Sequence, residues 1–175
     1  MRCFFGINLN NYSELLGKIT LPKDPEMSKA KEYHITLIFY SDLSDSLVKT
    51  FKEKLKGFSF PKFKLEGDKI VAFPNKNKPE LYALGFRDKS NLDELYKRIK
   101  DITGLESNDK FNPHITLLRR EKLSPDFKKS KEEYSNIESI NLKIDSFGLY
   151  KSEPDRGMNS YTPLFMVKLS LFPIP

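Results

Sequence analysis

Two copies of one tetrapeptide carry the only histidines of the chain: His34-Ile35-Thr36-Leu37 and His114-Ile115-Thr116-Leu117. They stand 80 residues apart, close to half of the 175. At average residue frequencies the three residues after one histidine would match those after the other roughly once in several thousand chains. A shared bias toward strand formers raises that only to about one in several hundred. Imidazole can both give and take a proton near neutral pH, so two of them can serve as an acid and a base. Two hydroxyls can donate hydrogen bonds to oxygens that gain charge in a transition state. Phosphoryl transfer asks for attacking and leaving groups in line, with the remaining oxygens held between them. Two His–Thr pairs supply those groups without a metal. Zinc takes three or four N, S or O ligands; the chain offers two His and one Cys, and no carboxylate lies inside either motif.

Both tetrapeptides read as strands. Alternation puts His34, Thr36 and Ile38 on one face and Ile35, Leu37 and Phe39 on the other; His114, Thr116 and Leu118 share a face opposite Ile115 and Leu117. Around them the pattern predicts strands at Arg2–Leu9, His34–Tyr40, Leu81–Phe86, Pro113–Leu118, Ile140–Tyr150 and Tyr161–Phe172. Short strands at Phe58–Leu65 and Ile70–Phe73 flank Gly67-Asp68, a hairpin signal. Helices are expected near Tyr12–Ile19, over Ser44–Lys56, and from Ser90, where Ser90 and Asp93 resemble a capping box, to Gly104. Leu21–Lys31 and Lys151–Ser160 read as loops, and Ser124–Ser135 as loop or frayed helix. The expectation is an α+β fold of two similar lobes, with residues 1–175 forming one bilobal domain. If the lobes pack about a pseudo-two-fold, both His–Thr pairs converge on one cleft.

Composition narrows the classes. Hydrophobic residues make up 38% and include 14 Phe and 8 Tyr, enough bulk for a core. The single cysteine, Cys3, rules out an intrachain disulfide and suits a reducing, cytoplasmic setting. No apolar run approaches the roughly 18 residues of a membrane helix, and the start has no signal-peptide pattern. The net charge of +6 favours polyanionic partners.

The paired motifs resemble those of the 2H phosphoesterase superfamily. More closely, the chain is similar to the RNA 2′,3′-cyclic phosphodiesterases, also called 2′-5′ RNA ligases. The opening Met1-Arg2-Cys3-Phe4-Phe5-Gly6-Ile7-Asn8-Leu9, the stretches from His34 to Phe39 and from Asn112 to Arg119, and Leu149-Tyr150-Lys151-Ser152 with Gly157, Tyr161 and Leu164 carry the likeness. The resemblance implies a bilobal fold with the cleft between two antiparallel sheets. It also implies hydrolysis of RNA 2′,3′-cyclic phosphate ends to 2′-phosphomonoesters without metal or other cofactor, and reversible 2′-5′ ligation. His34 would protonate the leaving 3′ oxygen, His114 would activate water, and Thr36 and Thr116 would hold phosphate oxygens. The implied partner is RNA with a cyclic phosphate terminus, tRNA fragments among them, bound by a monomer with no membrane involvement. Departures are Tyr40-Ser41 after Phe39, where the family often has Leu-Gly, and the lack of the tryptophan common ahead of the first motif. They bear on substrate reach and loop shape.

Further candidates are weaker. Arg119 has the guanidinium fork that suits phosphate, though alternation points it away from His114's face; Arg120 has the right parity. Tyr161 is a candidate to stack on a base or an ordinary strand residue. Lys49, Lys52, Lys54 and Lys56, and Lys128, Lys129 and Lys131, read as solvated faces or as an RNA-tracking patch. Two other functions compete: a 2H enzyme for a small cyclic phosphate or 2′-5′ oligoadenylate, and a module that binds RNA ends without turnover.

Overall fold

A computed structural model describes residues 1–107, 109–125, 127, 130–156 and 158–170. Gly157, Lys128, Lys129 and Phe172, named above, lie outside the described residues. In chain order the elements are β1 (Cys3–Asn8), α1 (Ser13–Gly17), β2 (Met27–Lys29), β3 (His34–Tyr40), α2 (Asp45–Lys54), β4 (Phe63–Phe73), β5 (Leu81–Phe86), α3 (Ser90–Thr103), β6 (Ile115–Arg120), β7 (Glu132–Ile144), β8 (Ser146–Asp155) and β9 (Met158–Lys168). The strands form one antiparallel sheet in the order β7-β4-β5-β6-β3-β1-β8-β9, with β2 also paired to β6.

That order is symmetric about its centre. Outward from β3 run β1, β8 and β9; outward from β6 run β5, β4 and β7. The two four-stranded lobes are therefore fused rather than separate, and the β3–β6 register that joins them consists of Ile35 opposite Ile115. The lobes are also not the two halves of the chain. The hairpin β8–β9 returns to β1, while β4 crosses to the lobe of the second histidine.

One face of the sheet is packed. Ile35, Leu37, Ile115 and Leu117 join a core with Phe51 of α2 and Leu92, Leu95 and Ile99 of α3. Helical spacing puts those α3 side chains on one stripe, and all three are fully buried. Ser44 caps α2, accepting the Leu47 N–H at 3.3 Å. Gly104 ends α3 at φ 70°, where glycine avoids a Cβ clash. The α3 capping box is not formed: Ser90 is already helical, Asp88 accepts its N–H at 2.9 Å, and Asp93 pairs with Lys89 at 3.7 Å. Cys3 is buried, and desolvation pushes its thiol up from the ordinary value, so it stays protonated and inert.

Several expected boundaries move. Gly67-Asp68 is a bulge inside one eleven-residue strand, not a turn, because β5 and β7 pair with β4 on both sides of it. Residues 132–135, expected as loop or frayed helix, begin β7; their exposure hides the alternation. The stretch Ile140–Tyr150 is divided at Asp145, and the polar segment Lys151–Ser160 is the tip of the β8–β9 hairpin. Within Leu21–Lys31, Met27–Lys29 is a strand on β6.

Gly6 sets how close β1 comes to β3. A Cβ there would meet the Ile35 carbonyl oxygen at 2.8 Å and the Phe4 ring at 2.6 Å. Gly6→Ala is expected to lower stability by about 1–3 kcal/mol, the usual cost of overpacking. Urea denaturation measures it; an unchanged midpoint would show that β1 and β3 can part without cost.

Candidate active site

The histidine motifs each contain a bulge, at the same position. Between β1 and β3 the register steps from Phe5–Ile38 to Gly6–Thr36, leaving Leu37 as the extra residue. Between β5 and β6 it steps from Tyr82–Leu118 to Ala83–Thr116, leaving Leu117. A bulge re-aims the side chains that follow it. Strict alternation assigns Ile38 and Leu118 to the histidine face. Instead they are 2% and 7% exposed and join Leu37 and Leu117 in the core. The same step brings Arg119 round to the side of Thr116, with which it lines one cavity. Arg120, the residue of expected parity, pairs instead with Glu26 and with Asp24.

Because Ile35 opposes Ile115 in an antiparallel pair, its neighbours also oppose: His34 lies across from Thr116, and Thr36 across from His114. Ile35 and Ile115 are fully buried on the core side, so all four polar side chains project from the other face. His34 and Thr116 line one cavity, and the charge of His114 acts on His34.

His34 stands in an aromatic corner. Its ring lies 4.6 Å from Tyr161, edge-on, and 5.2 Å from Phe4, which stacks on Tyr150 at 5.4 Å. Its Nδ1 is buried with no hydrogen-bond partner among the described residues. Desolvation, and secondarily the charge of His114, push its pKa down to about 4. In the free protein at neutral pH it is therefore neutral. Burial raises the Tyr161 phenol, which Arg119 partly offsets; the phenol stays a neutral donor.

His114 is held differently. Its Nδ1 lies 2.8 Å from the Asn112 carbonyl oxygen. A carbonyl only accepts, so Nδ1 carries the hydrogen, and the neutral ring keeps its lone pair on Nε2. The ring packs on Phe73 at 4.7 Å.

A cavity of about 100 Å³ is lined by His34, Thr116, Arg119, Tyr161, Lys31 and Glu32, among others. Four of the six residues singled out from sequence thus meet in one space. Thr36 and His114 share its sheet face but are not among its lining residues. Lys31 and Glu32 sit in a polar stretch that carries no motif, so only the structure reveals them. The Ala30 N–H donates to Leu117 O at 3.0 Å, and the next pair is Ile35 with Ile115. While β6 moves two residues the neighbouring segment advances five, which leaves Lys31 and Glu32 beside the cavity. Burial raises the Glu32 carboxyl pKa. Among the described residues, no three of His, Cys, Asp and Glu cluster as metal ligands would.

The sequence profile of the 2′-5′ RNA ligase superfamily matches residues 13–156. The chain belongs to this superfamily. Among curated relatives, the RNA 2′,3′-cyclic phosphodiesterase of Archaeoglobus fulgidus is 25% identical over 161 residues, covering 87% of this chain and 91% of that protein. The RNA 2′,3′-cyclic phosphodiesterase of Aeropyrum pernix is 25% identical over 145 residues, covering 79% and 82%. The crystal structure of LigT from E. coli in its apo form superposes with a TM-score of 0.71 at 26% identity, covering 97% of each chain. The α+β architecture is thus that of the LigT-type members of the superfamily, and no helix among the described residues is long and apolar enough to cross a membrane.

Proposed function

We propose that the protein hydrolyses RNA 2′,3′-cyclic phosphate ends to 2′-phosphomonoesters by paired histidine acid/base catalysis. The observation that carries this reading is the Ile35–Ile115 register, which sets each imidazole beside the other motif's threonine on one sheet face. The names of the two archaeal relatives supply the substrate class.

Water attacks phosphorus and gives its proton to Nε2 of His114. The bond from phosphorus to the 3′ oxygen breaks, and that oxygen takes a proton from His34. The 2′ ester stays, so the product is a 2′-phosphate with a 3′-hydroxyl. Thr36 and Thr116 donate to the non-bridging oxygens, Arg119 pairs with their charge, and Tyr161 packs beside His34 against the terminal nucleotide. A phosphodiester anion between the rings raises the His34 pKa, since an opposite charge within ~4–6 Å shifts a group by 1–3 units. Substrate thus supplies the field that lets His34 bind its proton. With a 5′-hydroxyl in place of water, the same groups would form a 2′-5′ phosphodiester.

The test is a short RNA ending in a 2′,3′-cyclic phosphate, incubated in excess chelator, with the product analysed. A 2′-phosphate at undiminished rate is expected. A 3′-phosphate would mean that the other oxygen leaves; loss of turnover with chelator would remove the metal-free mechanism. Tight binding with no turnover would leave an RNA-end-binding module.

A further inference from the structure

The cavity lined by His34 and Thr116 shares residues with two neighbouring spaces of different size. The smaller, about 10 Å³, lies against His34, Phe4, Tyr150 and Tyr161. At the Arg119 side the cavity adjoins a groove of about 310 Å³ that shares Lys31, Arg119 and Met158 and adds Ser28, Lys29 and Arg156 to its walls. Two elements build this groove. One is β2, where Ser28 pairs with Arg119 and Lys29 with Leu118. The other is the tip of the β8–β9 hairpin, where Asp155 pairs with Met158 around Arg156.

The groove is electropositive and largely unneutralised. Lys31, Arg119 and Arg156 have no carboxylate partner among the described residues, while Arg120 is tied to Asp24 and Glu26. Lys29 donates one hydrogen to Gly17 O at 3.1 Å and keeps two. Glu121 is the one acidic residue along the groove. An RNA whose cyclic end sits between His34 and His114 must lead its preceding phosphates out of the cavity, and of the two adjoining spaces the basic groove is the roomier.

We propose that the groove between β2 and the β8–β9 tip holds the phosphates of the nucleotides preceding the cyclic end. The protein then selects polynucleotide ends over cyclic mononucleotides. The inference rests on the proposed function for its substrate. Lys29 and Arg156 are the positions that test it, because they lie in the groove and outside the catalytic cavity.

The experiment compares a 2′,3′-cyclic mononucleotide with a five-nucleotide RNA ending in the same cyclic nucleotide, for the wild type and the double variant Lys29→Ala/Arg156→Ala. The wild type is expected to show a kcat/KM at least about tenfold higher for the RNA. The double variant should lose about tenfold on the RNA through KM, keep kcat, and turn over the mononucleotide as before, which also shows that it folds. The salt dependence of log Kd for the same RNA ending in a stable phosphate should flatten by about 0.7 for each phosphate that is no longer neutralised. Equal preference in the wild type, or an RNA KM and salt slope unmoved in the variant, would overturn the groove. If neither cyclic substrate is hydrolysed, the proposed function fails. The salt slope then decides the groove alone: a slope unchanged by the variant overturns it, and a flatter one retains it.

Discussion

Replacing His34 by alanine is expected to lower kcat/KM on a cyclic-phosphate RNA by about 10²–10⁴-fold, and His114→Ala by a similar factor. The two variants should differ in what repairs them. If His34 protonates the leaving 3′ oxygen, a substrate carrying sulfur at that position needs no acid, because a thiolate leaves unaided. That substrate should restore most of the His34→Ala rate and little of the His114→Ala rate. The opposite pattern would exchange the roles. It is a pointed test, since the pKa of about 4 makes His34 a poor holder of protons before substrate arrives. The Asn112 carbonyl, by contrast, presents Nε2 of His114 as the lone pair. The double variant should be little worse than either single one, because groups that act as a unit are not additive.

The second large effect is on stability. An unfolded imidazole takes its proton near pH 6.5, whereas folded His34 resists it until about pH 4. Between those values the unfolded chain binds more protons, so stability falls as pH falls; above about 6.5 the two states bind equally and the effect vanishes. A depression of this size is worth at most about 3 kcal/mol. His34→Gln removes the titrating group. Urea midpoints from pH 7 to 4 should therefore show the wild type losing up to about 3 kcal/mol more than the variant, with carboxylates titrating alike in both. Parallel curves would mean that His34 is solvated well enough to charge in the native state. The same burial predicts that the alkaline limb of kcat, set in the substrate complex, lies at higher pH than that of kcat/KM.

Local signals carry most of the fold. His34–Tyr40 and Leu81–Phe86 form strands over the residues that their apolar and β-branched side chains mark, and Gly104 stops α3. Register is what a linear pattern does not hold. Alternation is a rule for a regular strand, and one extra residue at Leu37 and at Leu117 reverses it downstream. That is why Arg119 reaches the cavity and Leu118 does not. The short strand β2 is hidden for a related reason: three residues with one buried side chain give no periodicity, and their role comes from the β6 edge they cover. Lys31, just beyond them, is hidden with them.

The register across Ile35 and Ile115 has one more consequence. Each ring has as its neighbour a hydroxyl from the opposite repeat, so a repeat by itself owns no complete set of groups. On the proposed mechanism, the smallest unit able to do this chemistry is a pair, whether two repeats are tied in one polypeptide or two identical chains meet about a dyad.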